Sequence, residues 1–344
     1  ANTTGDQNVS VGSSSMDANT TGRNNVAYGM NSLGGNTTAD ENCAIGTNSL
    51  FTNTTGTANT GLGTYSLQNN STASNNTGLG YKALFANTTG ASNTAVGSGA
   101  LFANTTASNN TAVGINSLVA NTTGDQNVSV GSSSMDALTT GGRNVAVGYA
   151  ALSSETTGYS NTAIGYQALL TQNNTSSTNV YNTAVGRNAG LSVTTGTHNT
   201  FIGGLAGDTV QSGSNNILIG YGADAVATQE NSITIGIGIS GGNNDFVFGK
   251  VGNVVFNDFD TDAAWTRSSD ERLKKNITDQ ALGLDFIKAL RTVKYNWKSN
   301  NELDASDAQL AHLREEDSDG NIINYMNTDV VMHNFIAQEV KAAL

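Results

Sequence analysis

Proline is absent from the 344 residues, cysteine occurs once, aromatic residues make up 6% and charged residues 12%. Each scarcity excludes something. So few large aromatic and charged side chains argue against the cored architecture of an ordinary enzyme. The single thiol, Cys43, permits no intrachain disulfide and no thiolate cluster, and neither a metal nor a cofactor is expected. Cys43 itself reads as a small buried thiol. Basic residues are also few: 15 Lys and Arg against 27 Asp and Glu give a net charge of −12. That balance disfavours nucleic acid and anionic membranes as partners. No apolar run is long enough to span a bilayer, so membrane insertion is not expected. The chain opens at Ala1 inside a repeat, without an initiator Met, and reads as a piece of something longer.

What is abundant is glycine, 40 residues of it, and its placement is periodic. A glycine closes each NTAVG-like pentapeptide, at positions 12, 29, 46, 63, 80, 97, 114, 131, 148 and 165, every step being 17 residues. The next marker is Gly186, a step of 21, so the stretch QNNTSSTNVY carries a four-residue insertion that should bulge from one coil. Gly203 and Gly220 resume the period, and Gly236 shortens it to 16. The residue before the marker is Val, Ile or Leu in every repeat except at Tyr28, and the fourth residue after it is Leu or Met from Met16 to Leu169. Short β-branched runs punctuated by Asn, Thr and Gly predict brief strands joined by turns. Repetition this strict predicts a stack of coils, a β-solenoid. At one strand spacing per coil, its 14 marked coils extend on the order of 65 Å.

Each coil offers only two or three large apolar side chains. Burying each stabilises by about 1.5–3 kcal/mol, whereas ordering each residue costs roughly 1–2 kcal/mol. One chain alone is therefore expected to fall short. Ladders of identical Asn and Thr along the stack, and association into a homotrimer, are expected to supply the difference. Within the pentapeptide, residues two apart share a face. A narrow interior filled by Ala, Gly and Ser, on the face of Asn93 and Ala95, leaves the Val or Ile row, on the face of Thr94 and Val96, to neighbouring chains; the opposite assignment is also open. Phe201 and Leu218 take the small slot in the last coils, where a wider cross-section is expected.

These NTAVGxxAL-type units, over residues 1–240, resemble the head repeats of trimeric autotransporter adhesins and the shafts of some phage tail fibres. The resemblance implies a parallel β-roll in a trimer.

After Lys250 the composition changes: ten of the 15 basic residues lie beyond it. A stretch over 241–268 that includes FVFGKVGNVVFNDF alternates like strands and reads as a neck. Beyond it, helical spacing from Asp279 through Leu290, a strand at Val293, Tyr295 and Trp297, and helices over 304–314 and 338–344 predict a small α+β module. Three blocks in this module, SDERLKKNI from Ser269, VKYNWK, and HNFIAQEV from His333, resemble the self-cleaving intramolecular chaperone of endosialidases and other phage tail spikes. The resemblance implies that Ser269 and Lys274 form a catalytic dyad and that the backbone is cut at Ser269–Asp270. A serine hydroxyl needs a base, and a lysine serves when burial or neighbouring charge lowers its pKa. Arg272, by repulsion, and His333 are the candidate supporting residues. Asn334 stands where relatives have glycine, and the module over 269–344 is expected to be shortened at its C-terminus.

The expected whole is mainly β: a trimeric parallel β-solenoid of 17-residue coils followed by a small α+β chaperone domain. The expected function is that of a structural tail-fibre or tail-spike protein of a virion, serving host attachment. Its partners are two further copies of itself, a host cell-surface receptor or glycan, and an upstream tail-fibre or baseplate protein. The only enzymatic act expected is one turnover of self-cleavage. The alternatives are a bacterial trimeric surface adhesin and a tail-spike glycan hydrolase whose catalytic part lies outside this chain.

Overall fold

The structure, a computed structural model, describes residues 2–176 and 178–260, the strands Thr292–Asn296 and Val331–Phe335, and residues 298, 299, 302, 303, 317 and 319–322. Two compact units divide the chain, Ala1–Thr266 and Arg267–Leu344.

The first unit is a parallel β-solenoid. Its first thirteen strands are three residues long: Val9–Val11, Val26–Tyr28, Cys43–Ile45, Thr60–Leu62, Thr77–Leu79, Thr94–Val96, Thr111–Val113, Val128–Val130, Val145–Val147, Thr162–Ile164, Thr183–Val185, Thr200–Ile202 and Ile217–Ile219. They are β1 to β13. β14 (Ile233–Ile237), β15 (Asp245–Lys250) and β16 (Asn253–Asp258) complete one 16-stranded sheet in which every strand pairs with its sequence neighbours. Pairing is parallel until β16, which folds back antiparallel on β15. The register keeps equivalent residues opposite each other. Thr94, Ala95 and Val96 pair with Thr111, Ala112 and Val113. The four-residue insertion is absorbed outside the sheet, because Thr162 still pairs with Thr183 and Ala163 with Ala184.

The marker glycines are explained by the stacking. Gly97 has φ of 134°, and a Cβ on it would stand 2.4 Å from the carbonyl oxygen of Gly114 in the next coil. Only a residue without a side chain lets the coils close to strand spacing here. The core leucines carry a different strain. Leu33, Leu50, Leu67, Leu84, Leu101 and Leu118 all have φ between 50° and 53°, the left-handed region that costs a non-glycine residue roughly 1–2 kcal/mol. Their complete burial offsets that cost by about 1.5–3 kcal/mol each.

Inside, the Ala row of the strands and the Leu row of the turns form one cluster running from Met16 to Ala225. Two Asn rows flank it. In one, each amide donates to the amide oxygen one coil earlier, as from Asn36 to Asn19 at 2.8 Å and from Asn87 to Asn70 at 2.8 Å. In the other, each amide oxygen accepts the next coil's backbone N–H, as Asn93 does from Asn110 at 3.0 Å. A hydroxyl row bonds coil to coil in the same way, Thr88 donating to the Thr105 carbonyl at 3.0 Å. The expected Asn and Thr ladders are thus present, and they satisfy within one chain the polar groups its thin core encloses.

The expected widening at the last coils is replaced by an exchange of volume. Phe201 is fully buried, yet the 17-residue spacing and the register are unchanged. The leucine slot has become Gly190 and Gly207, where a Cβ would meet the Phe201 ring at 2.8 and 2.3 Å. A large strand residue and a small turn residue fill the same cross-section. Cys43 also departs from expectation. It opens β3, on the outward row, and is half-buried rather than enclosed; its partial burial raises the thiol pKa.

In the second unit, β17 (Thr292–Asn296) pairs antiparallel with β18 (Val331–Phe335). β17 is the strand expected around Val293 and Tyr295. β18 was not anticipated, its sequence having been assigned only to a motif. The helices expected from Asp279, over 304–314 and over 338–344 lie outside the described residues.

Candidate functional site

The residues nominated for self-cleavage, Ser269, Asp270, Arg272 and Lys274, lie outside the described residues. His333 falls within β18, where its backbone pairs with Lys294 of β17. The described geometry that bears on function is therefore the surface of the solenoid.

Strand alternation dictates that surface. The middle residue of each strand points inward, so its two neighbours point out. The outward row that ends each strand is aliphatic in every coil but one, from Val11 through Ile45, Leu62 and Leu79 to Ile202 and Ile235. Leu62 is 43% exposed and Ile202 41%, whereas Val96, Val113, Val130 and Val147 are half-buried. A polar chain thus carries a continuous apolar ribbon along the solenoid. Exposed apolar patches of that extent mark interaction surfaces.

Beside it runs a second row, that of the residue after each marker glycine, which is tyrosine at positions 81, 149, 166 and 221. All four are exposed. Tyr149 and Tyr166 stack with centroids 5.4 Å apart, and the Arg187 guanidinium lies 5.9 Å from the Tyr166 ring. Farther up the stack the Lys82 ammonium lies 5.2 Å from the Tyr81 ring and 5.6 Å from that of Phe85, while Phe85 stacks on Phe102 at 5.2 Å. The sequence reading missed these clusters because it followed the apolar rows at two offsets from the glycine. The recurrence of tyrosine at a third offset was the available signal.

A third feature is electrostatic. Asp224 is half-buried and its carboxyl pKa is pushed up to about 6, chiefly by desolvation, with the negative charge of Asp208 adding to the effect. Hydrogen bonds from the Ala225 and Thr209 backbone N–H groups oppose the rise.

Residues 269–344 match the family described as chaperone of endosialidase. The chain therefore carries that domain at its C-terminus, and the match opens on Ser269. No curated protein matches the chain. A 17-residue parallel solenoid in one chain with this domain is consistent with a tail fibre or tail spike.

Proposed function

We propose that the chain is a structural segment of a phage tail fibre or tail spike, in which three copies align their solenoids and the C-terminal domain assembles them before cutting itself away. The observation that carries this reading is the coexistence, in one chain, of a solenoid with an outward, largely aliphatic row, exposed or half-buried from coil to coil, and a chaperone-of-endosialidase domain after it. The ribbon needs partners of its own chemistry, and three copies of one chain provide them. The outer turns then carry the surface that meets the host.

The cut falls at Ser269–Asp270. The Ser269 hydroxyl gives its proton to the neutral Lys274 amine and attacks the carbonyl of the scissile Ser269–Asp270 bond. The C–N bond breaks as the lysine returns that proton to the departing Asp270 amine, and a water molecule then hydrolyses the ester to a free carboxylate and the serine hydroxyl. The proximity of hydroxyl and carbonyl supplies much of the rate enhancement, so a dyad suffices for a single turnover. Arg272 disfavours a second positive charge nearby and so lowers the lysine pKa. Asp270 becomes the first residue of the released piece.

Expression of the full chain beside the Ser269→Ala and Lys274→Ala variants tests this. The parent should run on a denaturing gel as two bands that divide at residue 269, and each variant as one full-length band. Identical processing in either variant sinks the dyad.

A further inference from the structure

We infer that the surface concavity formed by Thr123, Asp125, Gln126, Gly142, Arg143 and Tyr159 is a binding site for a neutral, hydroxyl-rich sugar ring. Its volume is about 350 Å³, within the range of small-molecule sites. It lies on the turns that lead into the strands. The inference deepens the attachment reading above and rests on it only for the biological source of the sugar.

The argument comes from a duplication within the chain. Ala1–Ala18 recurs without change as Ala120–Ala137, seven coils later, so the same turn is seen in two settings. In the first, Asp6 pairs with Arg23 at 3.3 Å, and the next coil contributes Asp40, which accepts the Arg23 backbone N–H at 2.7 Å. There the guanidinium is held in an ion pair, and a second carboxylate follows in the next coil. In the second, the positions of Arg23, Asn24 and Asp40 are taken by Gly142, Arg143 and Tyr159. The arginine has moved by one residue, and its guanidinium now lies 6.0 Å from the centre of the Tyr159 ring. It makes no ion pair among the described residues. Asp125 accepts the Ser108 backbone N–H through one oxygen and leaves the other to the concavity, and the Gln126 amide has no partner among the described residues.

The site is built. Tyr159 is half-buried and its hydroxyl donates to the Thr140 carbonyl at 2.9 Å, which fixes the ring. Gly142 makes room for it, since a Cβ there would stand 3.1 Å from Tyr159 Cε1. A fixed aromatic ring offers an apolar face to the C–H side of a pyranose. Around it stand one carboxylate oxygen, which only accepts, one guanidinium, which only donates, and one amide, which does both. Hydroxyl groups need this mixture. The charges of Asp125 and Arg143 cancel and leave no net preference for a charged ligand, and an apolar ligand would strand all three polar groups.

Saturation-transfer NMR on the full chain, with the methyl glycosides of glucose, galactose and mannose as probes, tests the assignment. At least one should show saturation of its ring C–H protons, with a dissociation constant in the millimolar range, about 1–10 mM. Arg143→Ala and Asp125→Asn, both at exposed positions, should weaken binding about tenfold or more. Tyr159→Ala removes the ring and should weaken binding to a similar degree, and Arg23→Ala, in the other copy, should change nothing. No transfer to any of the three glycosides, or unaltered binding in both Arg143→Ala and Asp125→Asn, overturns the proposal. The oligomeric state and the processing bands of the same preparations report separately on the fibre reading. A processed trimer that binds no glycoside refutes this site alone.

Discussion

Leu138 interrupts a row of eight asparagines that begins at Asn2 and ends at Asn121. Every earlier amide oxygen from Asn19 to Asn104 accepts a hydrogen bond from the next member, but Asn121 Oδ1 is buried without a partner. The substitution Leu138→Asn gives up about 2–3 kcal/mol of apolar burial and recovers about 1–3 kcal/mol by satisfying that oxygen. Its stability should lie within about 1 kcal/mol of the parent, whereas Leu118→Asn, in the apolar row, should cost about 3–5 kcal/mol. Urea-unfolding midpoints measure both, and equal losses would rule out the ladder account. Asp224 makes a second residue-scale prediction. Its folded pKa of about 6 exceeds the ordinary 3.8, so between these values the folded state holds more protons than the unfolded one. Stability should fall as pH rises through that window and level off above it. Asp224→Asn keeps the acceptor oxygen and removes the charge, so it should raise the melting temperature above pH 6 and flatten its pH dependence from about 4 to 7. A melting profile identical to the parent's would show that the carboxyl is not opposed by its surroundings.

A coil is the element from which everything here is repeated, and its sequence announces some of its parts more openly than others. Short β-branched runs closed by glycine specify the strands, and the alternation around Ala95 separates a small row from a larger one. Identical rows along a stack must meet, so the Asn and Thr ladders were legible from the period alone. The exchange of Phe201 against Gly190 and Gly207 was not, because it couples a strand slot to a turn slot whose packing only the closed coil reveals. Nor was the left-handed backbone of the core leucines, which propensity argues against and burial enforces. β18 was obscured because Val331–Phe335 reads as motif rather than as alternation. The concavity at Arg143 and Tyr159 depends on side chains from neighbouring coils, which no local spacing brings into view. The outward aliphatic row, in contrast, was legible and is testable. Leu62→Asp with Leu79→Asp places two charges on adjacent rungs of the ribbon and leaves the interior Ala and Leu rows untouched. Light scattering of the double variant should report the mass of one chain in place of three, and circular dichroism should lose β signal with it, because one chain alone falls short. A variant that remains trimeric would place the interface elsewhere on the coil.

For the molecule as a whole, regularity is itself the assembly problem. In the proposed trimer, three ribbons of near-identical rungs associate almost as well when slipped by one coil as when aligned. A slip of one coil leaves only a terminal rung unpaired on each chain, at roughly 1 kcal/mol for a half-exposed aliphatic side chain. Sequence-encoded pairing energy therefore discriminates poorly between registers, and slow interchain β association is prone to trapping. On the proposed reading, a C-terminal domain that brings three copies together removes the ambiguity by fixing one end, and its later excision would leave the aligned shaft separated from any slipped form by an unfolding barrier. A chain ending at residue 268 should accordingly refold from denaturant into a mixture of oligomers and staggered trimers. The Ser269→Ala chain, with its helper still attached, should return to a single species under the same conditions. Native mass spectrometry resolves the oligomers, and crosslinking between cysteines placed at matched rungs, with Cys43 replaced by serine, resolves the stagger. Equal yields of one aligned trimer from both chains would show that the solenoid sets its own register and that the C-terminal domain serves some other end.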